Sequence, residues 1–175
     1  DSTSNVRGIP PFIQATGGCI SCSGDYKIHT FTGPGTFCVS SLSPVGAENV
    51  VDYVVVGGGG GGGGTTCTGG GAGGAGGFRY FTNTTNNPQP GAPGLPLNNF
   101  PSGTTLTATV TGYPITVGGG GAGTTGTPGP AGNPAPTSIG CNGANSIFST
   151  ITSAGGGGGR GYSGPAPCNG TAGGS

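Results

Sequence analysis

The sequence predicts a mostly β protein that also uses polyproline II: a small N-terminal β scaffold followed by a stacked polyglycine sandwich, with no significant α-helix. The first observation is a repeated order of residues. Val50-Val51-Asp52-Tyr53-Val54-Val55-Val56 runs into residues 57–64, Gly112-Tyr113-Pro114-Ile115-Thr116-Val117 into 118–121, and Phe148-Ser149-Thr150-Ile151-Thr152-Ser153-Ala154 into 155–159, all glycine; Cys67-Thr68 leads more loosely into Gly69-Gly70-Gly71-Ala72-Gly73-Gly74. A flexible linker has no need of a strand former before each glycine run, whereas a stack of extended glycine segments needs a strand to launch each one. The second is period-two alternation over Tyr26–Thr32, which sets Tyr26, Ile28, Thr30 and Thr32 against Lys27, His29 and Phe31. The third is the lack of any 3.6-residue apolar period in a chain holding 46 Gly and 16 Pro.

Gly and Pro supply more than a third of the 175 residues, a composition common in disordered chains. Disordered chains usually carry a large net charge and few β-branched residues, but here four Lys/Arg balance four Asp/Glu and strand-like runs recur. Arg7, Lys27, Arg79 and Arg160 stand apart, so no basic patch offers affinity for nucleic acid. No apolar run approaches the ~20 residues of a membrane span. The chain begins at Asp1 and has no Met, as expected of a mature chain or a piece of a longer protein.

The predicted organisation follows the chain. Residues 1–18 form an arm around Pro10-Pro11, whose Val6, Ile9, Phe12 and Ile13 lack a local apolar partner and would serve as a contact for another subunit. Residues 19–56 form the β scaffold: Asp25–Thr32 is a strand, Gly33-Pro34-Gly35 a turn, and Thr36–Ser40 the returning hairpin partner. The unbroken apolar run Val50–Val56 reads as a strand covered on both faces. Residues 57–175 form the glycine-rich module, with a strand at Thr104–Val110 and Asn/Pro-rich surface loops over 82–102 and 124–138.

Cys19, Cys22, Cys38, Cys67, Cys141 and Cys168 are an even set in loop-rich sequence, which predicts a disulfide framework and an oxidising compartment, with the pairing open. A zinc or redox role for Cys19-Ile20-Ser21-Cys22 needs a second close pair or a following helix, and neither occurs. Asn83-Thr84-Thr85 and Asn169-Gly170-Thr171 match the glycosylation sequon, a common chance match in such sequence. An ordered glycine run is best accommodated as a polyproline II rod, because its N–H and C=O groups point sideways and remain free for neighbouring rods. Ordering glycine costs about 1–2 kcal/mol per residue or more, and cross-links at ~2–4 kcal/mol each would offset part of it.

The succession Tyr26-Lys27-Ile28-His29-Thr30-Phe31-Thr32, Gly35-Thr36-Phe37-Cys38-Val39, Asp52–Gly60, Tyr113–Gly121 and Ser146–Gly157 resembles the glycine-rich domain of phage tail-fibre tip adhesins and bacterial surface proteins. The resemblance covers about residues 25–162. It implies stacked polyproline II glycine helices with receptor-contacting loops at the distal end. Carried over, those are residues 83–101 and 125–136, with Asn83, Asn86, Asn87, Asn98, Asn99, Thr125, Thr127 and Asn133 as contact candidates. The six cysteines and the N-terminal arm depart from the family pattern and favour a secreted product.

No residue set reads as catalytic, cofactor-binding or metal-binding. His29 is the single histidine and lies in a strand motif with no nucleophile beside it, and Asp25, Glu48 and Asp52 are scattered. The glycine runs lack the Lys and helix of a phosphate loop. Phe78, Tyr80 and Phe81 read as core rather than as a sugar-stacking platform. The expectation is a secreted, non-enzymatic protein at a cell or virion surface, a subunit that assembles with itself into a fibre. The alternative is a receptor-binding tip that contacts a cell-surface glycan or outer-membrane protein. An ice-binding face comes third, because no Thr-x-x repeat marks one.

Overall fold

In this computed structural model, which describes residues 12–24, 26–64, 70–82, 105–124, 139–161 and 171–172, the fold is mostly β and the described residues hold no α-helix. Residues 1–54 with 79–115 form one unit and residues 55–78 with 116–175 a second.

In the first unit, β1 (Gln14–Thr16) ends at Gly17 and Gly18, whose φ angles of 108° and 64° belong to the left-handed region that glycine enters freely. A side chain at Gly17 would also meet the Thr36 carbonyl, with a Cβ 2.0 Å from its oxygen. This corner sends the chain into β2 (Cys19–Ser23), and Gly24, at φ 56°, closes a tight hairpin with β3 (Tyr26–Thr30), placing Cys19 opposite Thr30 and Ser23 opposite Tyr26. The strand over 26–30 thus takes its partner from upstream, and the expected hairpin with Thr36–Ser40 does not form. That segment belongs instead to β4 (Gly35–Ser41), which lies between β1 and β9 (Gly112–Thr116). Phe37 faces Tyr113 across the β4–β9 ladder, and Ala15, Phe37, Val39 and Tyr113 are buried there.

The Val50–Val56 run divides at Asp52, where the chain changes partner strand; the Asp52 carboxylate accepts a hydrogen bond from Thr82 Oγ1 at 3.1 Å. β5 (Val50–Val51) pairs with β8 (Leu106–Thr107), and β6 (Tyr53–Val56) pairs with β7 (Phe78–Phe81). The expectation of cover on both faces is corrected: Tyr53 and Val55 are buried, but Val54 and Val56 are more than half exposed. Tyr53 stacks on Phe81 at 5.8 Å between ring centroids. The 3₁₀ turn Gly46–Asn49 ends in a buried Asn49 that clamps Ser43, accepting from its N–H at 2.8 Å and donating to its carbonyl at 3.0 Å.

In the second unit β10 (Ser146–Phe148) and β11 (Ile151–Ser153) form a hairpin through Ser149, at φ 55°. Most of its other described residues form extended tracts outside the named strands, called here I (57–64), II (70–77), III (118–124), IV (140–145) and V (154–160). Their hydrogen bonds run between tracts and recur every third residue: Gly57, Gly60 and Gly63 donate to Gly77, Gly74 and Gly71, while Gly58 and Gly61 donate to Ala144 and Cys141. Three residues per turn with lateral bonding identifies polyproline II rods. Tract I is the hub. Tracts II and IV run antiparallel to it, and III and V run parallel, with Gly121 and Thr124 donating to Gly59 and Gly62, and Gly156 and Gly159 to Gly58 and Gly61. The bonding arranges the rods in two layers, II–I–III and V–IV.

Candidate functional site

The lattice is built from missing side chains. Every tract glycine has negative φ, so alanine could adopt the backbone. What excludes it is contact. A Cβ on Gly58 would lie 2.1 Å from the Gly119 oxygen, on Gly60 2.0 Å from that of Gly157, on Gly73 2.0 Å from that of Gly60, and on Gly158 1.8 Å from that of Gly140. These are about half the separation of ordinary carbon contacts, ~3.5–4.0 Å. Only chain without Cβ lets rods approach until N–H and C=O groups bond at 2.7–3.0 Å.

The same threefold spacing decides where side chains are tolerated. Tract II reads Gly70-Gly71-Ala72-Gly73-Gly74-Ala75-Gly76-Gly77, with both alanines exposed. Tract IV reads Gly140-Cys141-Asn142-Gly143-Ala144-Asn145, and its two asparagines act as caps: Asn145 Oδ1 accepts from Gly155 N–H and Asn142 Oδ1 from Gly158 N–H, each at 2.9 Å. Thr171 Oγ1 joins Asn142 at the Gly158 N–H. Side-chain carbonyls on tract IV therefore occupy donors that a further rod would otherwise have taken. Both repeats stand in the sequence: the looser run Gly69–Gly74 marks most of tract II, whereas tract IV and the roles of Asn142 and Asn145 follow no run of glycine and were missed. Glycine or a small residue at every third position is the signal that finds them.

The rod ends are ordered as well. Gly64 N–H donates to Thr124 Oγ1 at 2.9 Å, Gly70 pairs with Gly161, and Ile139 pairs with Arg160. Gly64, Gly70, Thr124, Ile139 and Gly161 therefore share one end of the lattice, from which residues 65–69, 125–138 and 162–170 depart. The β10–β11 hairpin joins IV to V at the other end.

The residues singled out from sequence fall in several places. Cys19, Cys22, Cys38 and Cys141 carry free, exposed thiols, and Cys67 and Cys168 lie outside the described residues. Of the arm, Phe12 is 65% exposed and Ile13 half-buried, with Val6 and Ile9 outside the described residues. The arm's end, Gln14–Thr16, is a strand of the chain's own sheet, and Lys27 Nζ donates to the Ala15 carbonyl at 2.9 Å beside it. His29 sets Nδ1 2.8 Å from the Gly17 carbonyl and its ring edge-on to Phe37. Glu48 accepts from Ser43 Oγ. Asn83, Asn86, Asn87, Asn98, Asn99, Thr125, Thr127, Asn133 and both sequon asparagines lie outside the described residues. Among the described residues no three of His, Cys, Asp and Glu stand close enough to hold a metal ion, and no helix is long and apolar enough to cross a membrane.

A family described as a glycine-rich domain matches residues 32–175. No curated protein and no solved structure matches the chain.

Proposed function

The chain belongs to the glycine-rich domain family, and from that premise we propose that it is a non-enzymatic module of an extracellular fibre on a cell or virion surface. Its glycine lattice holds recognition loops at one end. The observation that carries this reading is the common end of the rods: Gly64, Gly70, Thr124, Ile139 and Gly161 gather there, so every connection among them leaves on the same side. Rigid rods with variable connections at one tip are the economy of a binding module, in which a scaffold fixes loop positions and the loops choose the ligand. The partner is a cell-surface glycan or an outer-membrane protein, met at this end by the Thr- and Asn-bearing loop 125–136; residues 83–101 follow Thr82 in the other unit and are not part of this end.

The test replaces residues 125–138 with a Gly/Ser linker and measures binding to glycan arrays and bacterial cells together with thermal unfolding. Binding lost with unchanged unfolding supports the reading; binding retained refutes it.

Assembly into a filament is the second reading. The β2–β3 ribbon favours it by exposing Ile20, Tyr26 and Ile28 at 45%, 50% and 43%, beside an arm that ends in exposed Phe12. Filaments in negative-stain images that vanish on deletion of residues 1–11 would place assembly there; filaments that persist would remove the arm from it.

A further inference from the structure

Two demands of the lattice fall on neighbouring residues of tract IV. Position 142 has to carry an acceptor, because among the described residues no rod carbonyl takes the Gly158 N–H. Asn142 Oδ1 takes it at 2.9 Å, with Thr171 Oγ1 beside it at 2.7 Å. Position 143 has to be bare. A Cβ on Gly143 would lie 2.0 Å from the Gly58 oxygen and 2.5 Å from its carbonyl carbon, far inside the ~3.5–4.0 Å of ordinary contact. The fold therefore imposes asparagine followed by glycine. The second cap escapes this pairing: Asn145 precedes Ser146, a position that accepts a side chain and whose Oγ takes the Gly118 N–H at 3.0 Å.

An asparagine before glycine is among the least durable steps in a polypeptide. With no side chain to hinder it, the glycine nitrogen can lose its proton to solvent base and bond to the asparagine Cγ; the bond from Cγ to the amide nitrogen breaks and ammonia leaves. Water then opens the cyclic imide at either carbonyl, giving aspartate or isoaspartate. The structure ties both reacting groups. Gly143 N–H donates to the Gly156 oxygen at 2.8 Å, which engages the nucleophile with tract V. The Asn142 carboxamide is held by the Gly158 N–H and the Thr171 hydroxyl. Ring closure needs the peptide between them to turn, and Gly143 is packed against tract I at Gly58 and against tract V at Gly155.

We propose that Asn142–Gly143 is a modification site kept latent by the lattice: it deamidates when tracts IV and V part, and so records their opening as a permanent chemical mark. The two products act in opposite directions. Aspartate keeps both bonds to the former Oδ1, now charge-assisted, and gives up only an amide NH₂ that has no acceptor among the described residues. Isoaspartate routes the main chain through the former side chain and lengthens it by a methylene. The rest of tract IV then falls out of step with the threefold ladder, including Ala144, which accepts from Gly58 N–H and donates to the Gly119 oxygen, and the Asn145 cap.

Peptide mapping of the full chain, held at mildly alkaline pH with and without urea, reads the conversion at Asn142 against time. The folded chain reacts at least about tenfold more slowly than the chain in urea, because only its opened fraction is reactive. Gly155→Ala, whose Cβ would sit 1.9 Å from the Gly143 oxygen and force tracts IV and V apart, speeds the folded reaction. Thr171→Val does so as well, by releasing one hold on the carboxamide without altering a rod. Asn142→Asp melts at the wild-type temperature or above, whereas the isoaspartyl form, separated by chromatography from reacted wild type, melts below it. Equal rates with and without urea, a folded rate unmoved by both substitutions, or an isoaspartyl form that melts like wild type would each overturn the proposal. None of these readouts involves binding, so the recognition reading stands or falls separately.

Discussion

Replacing Gly60 by alanine measures how much the lattice depends on a missing methyl. The new Cβ would sit 2.0 Å from the Gly157 oxygen and 2.5 Å from its carbonyl carbon. A close carbon–oxygen contact needs ~3.3 Å, so tracts I and V must part by about 1.3 Å. Two bonds that join them, Gly156 N–H to Gly58 O and Gly159 N–H to Gly61 O, are both 2.8 Å and flank the site, and such a displacement breaks them. At about 1 kcal/mol net for each bond and ~1–3 kcal/mol for the overpacking itself, the loss is about 3–5 kcal/mol. Gly119→Ala is the control, because nothing lies within 4 Å of its Cβ position and φ is negative. That change gains roughly 0.4–1 kcal/mol by restricting the unfolded chain. By scanning calorimetry, at ~2–4 °C per kcal/mol for a chain of this size, Gly60→Ala unfolds about 10 °C below wild type and Gly119→Ala slightly above it. Equal midpoints for the two variants would refute the argument that contact, rather than backbone freedom, sets the demand for glycine.

The other substitutions probe the edges of the same unit. Ser153 is fully buried and its Oγ has no hydrogen-bond partner among the described residues, so Ser153→Ala raises stability by about 1 kcal/mol in chemical denaturation, where an unsatisfied buried hydroxyl costs ~1–3 kcal/mol. Asn142→Ala together with Thr171→Val removes both side-chain acceptors of the buried Gly158 N–H and lowers stability by ~1 kcal/mol while speeding exchange of that amide by NMR; Asn145→Ala acts at a more exposed donor and costs less. Iodoacetamide applied to the native protein labels Cys19, Cys22, Cys38 and Cys141, all exposed thiols, and peptide mapping that finds any of them in a disulfide with another of the four contradicts the structure.

Much of the architecture can be read from residue order, because its cause is local. A β-branched run before glycine marks the strand that leads into a rod, and Val55-Val56 into tract I and Thr152-Ser153 into tract V follow that rule. Strand partners were less legible. Gly33-Pro34-Gly35 looks like a hairpin turn, but among the described residues the glycines with positive φ are Gly17, Gly18 and Gly24, and those set which strands meet. Asp52 was visible inside a valine run, but not that the run changes partner there, from β8 before it to β7 after it. The buried Asn49 clamp likewise depends on Ser43 across a 3₁₀ turn, with no pattern in the sequence to announce it. In the lattice, threefold spacing was legible in tracts II and IV, but which side of each rod faces another is fixed by the order in which five rods stack. That order sets the difference between a glycine the fold needs, such as Gly60, and one it does not, such as Gly120.

The central claim is that these glycine runs are rods bonded sideways at every third residue. Residue-resolved amide hydrogen exchange along tract I, at a concentration low enough to keep the chain monomeric, tests it most directly. Gly58, Gly60, Gly61 and Gly63, which donate to neighbouring rods, exchange slowly, and Gly59 and Gly62 between them exchange fast, giving two protected amides followed by one open amide along the tract. Uniformly fast exchange at free-peptide rates across residues 57–64 would contradict the account.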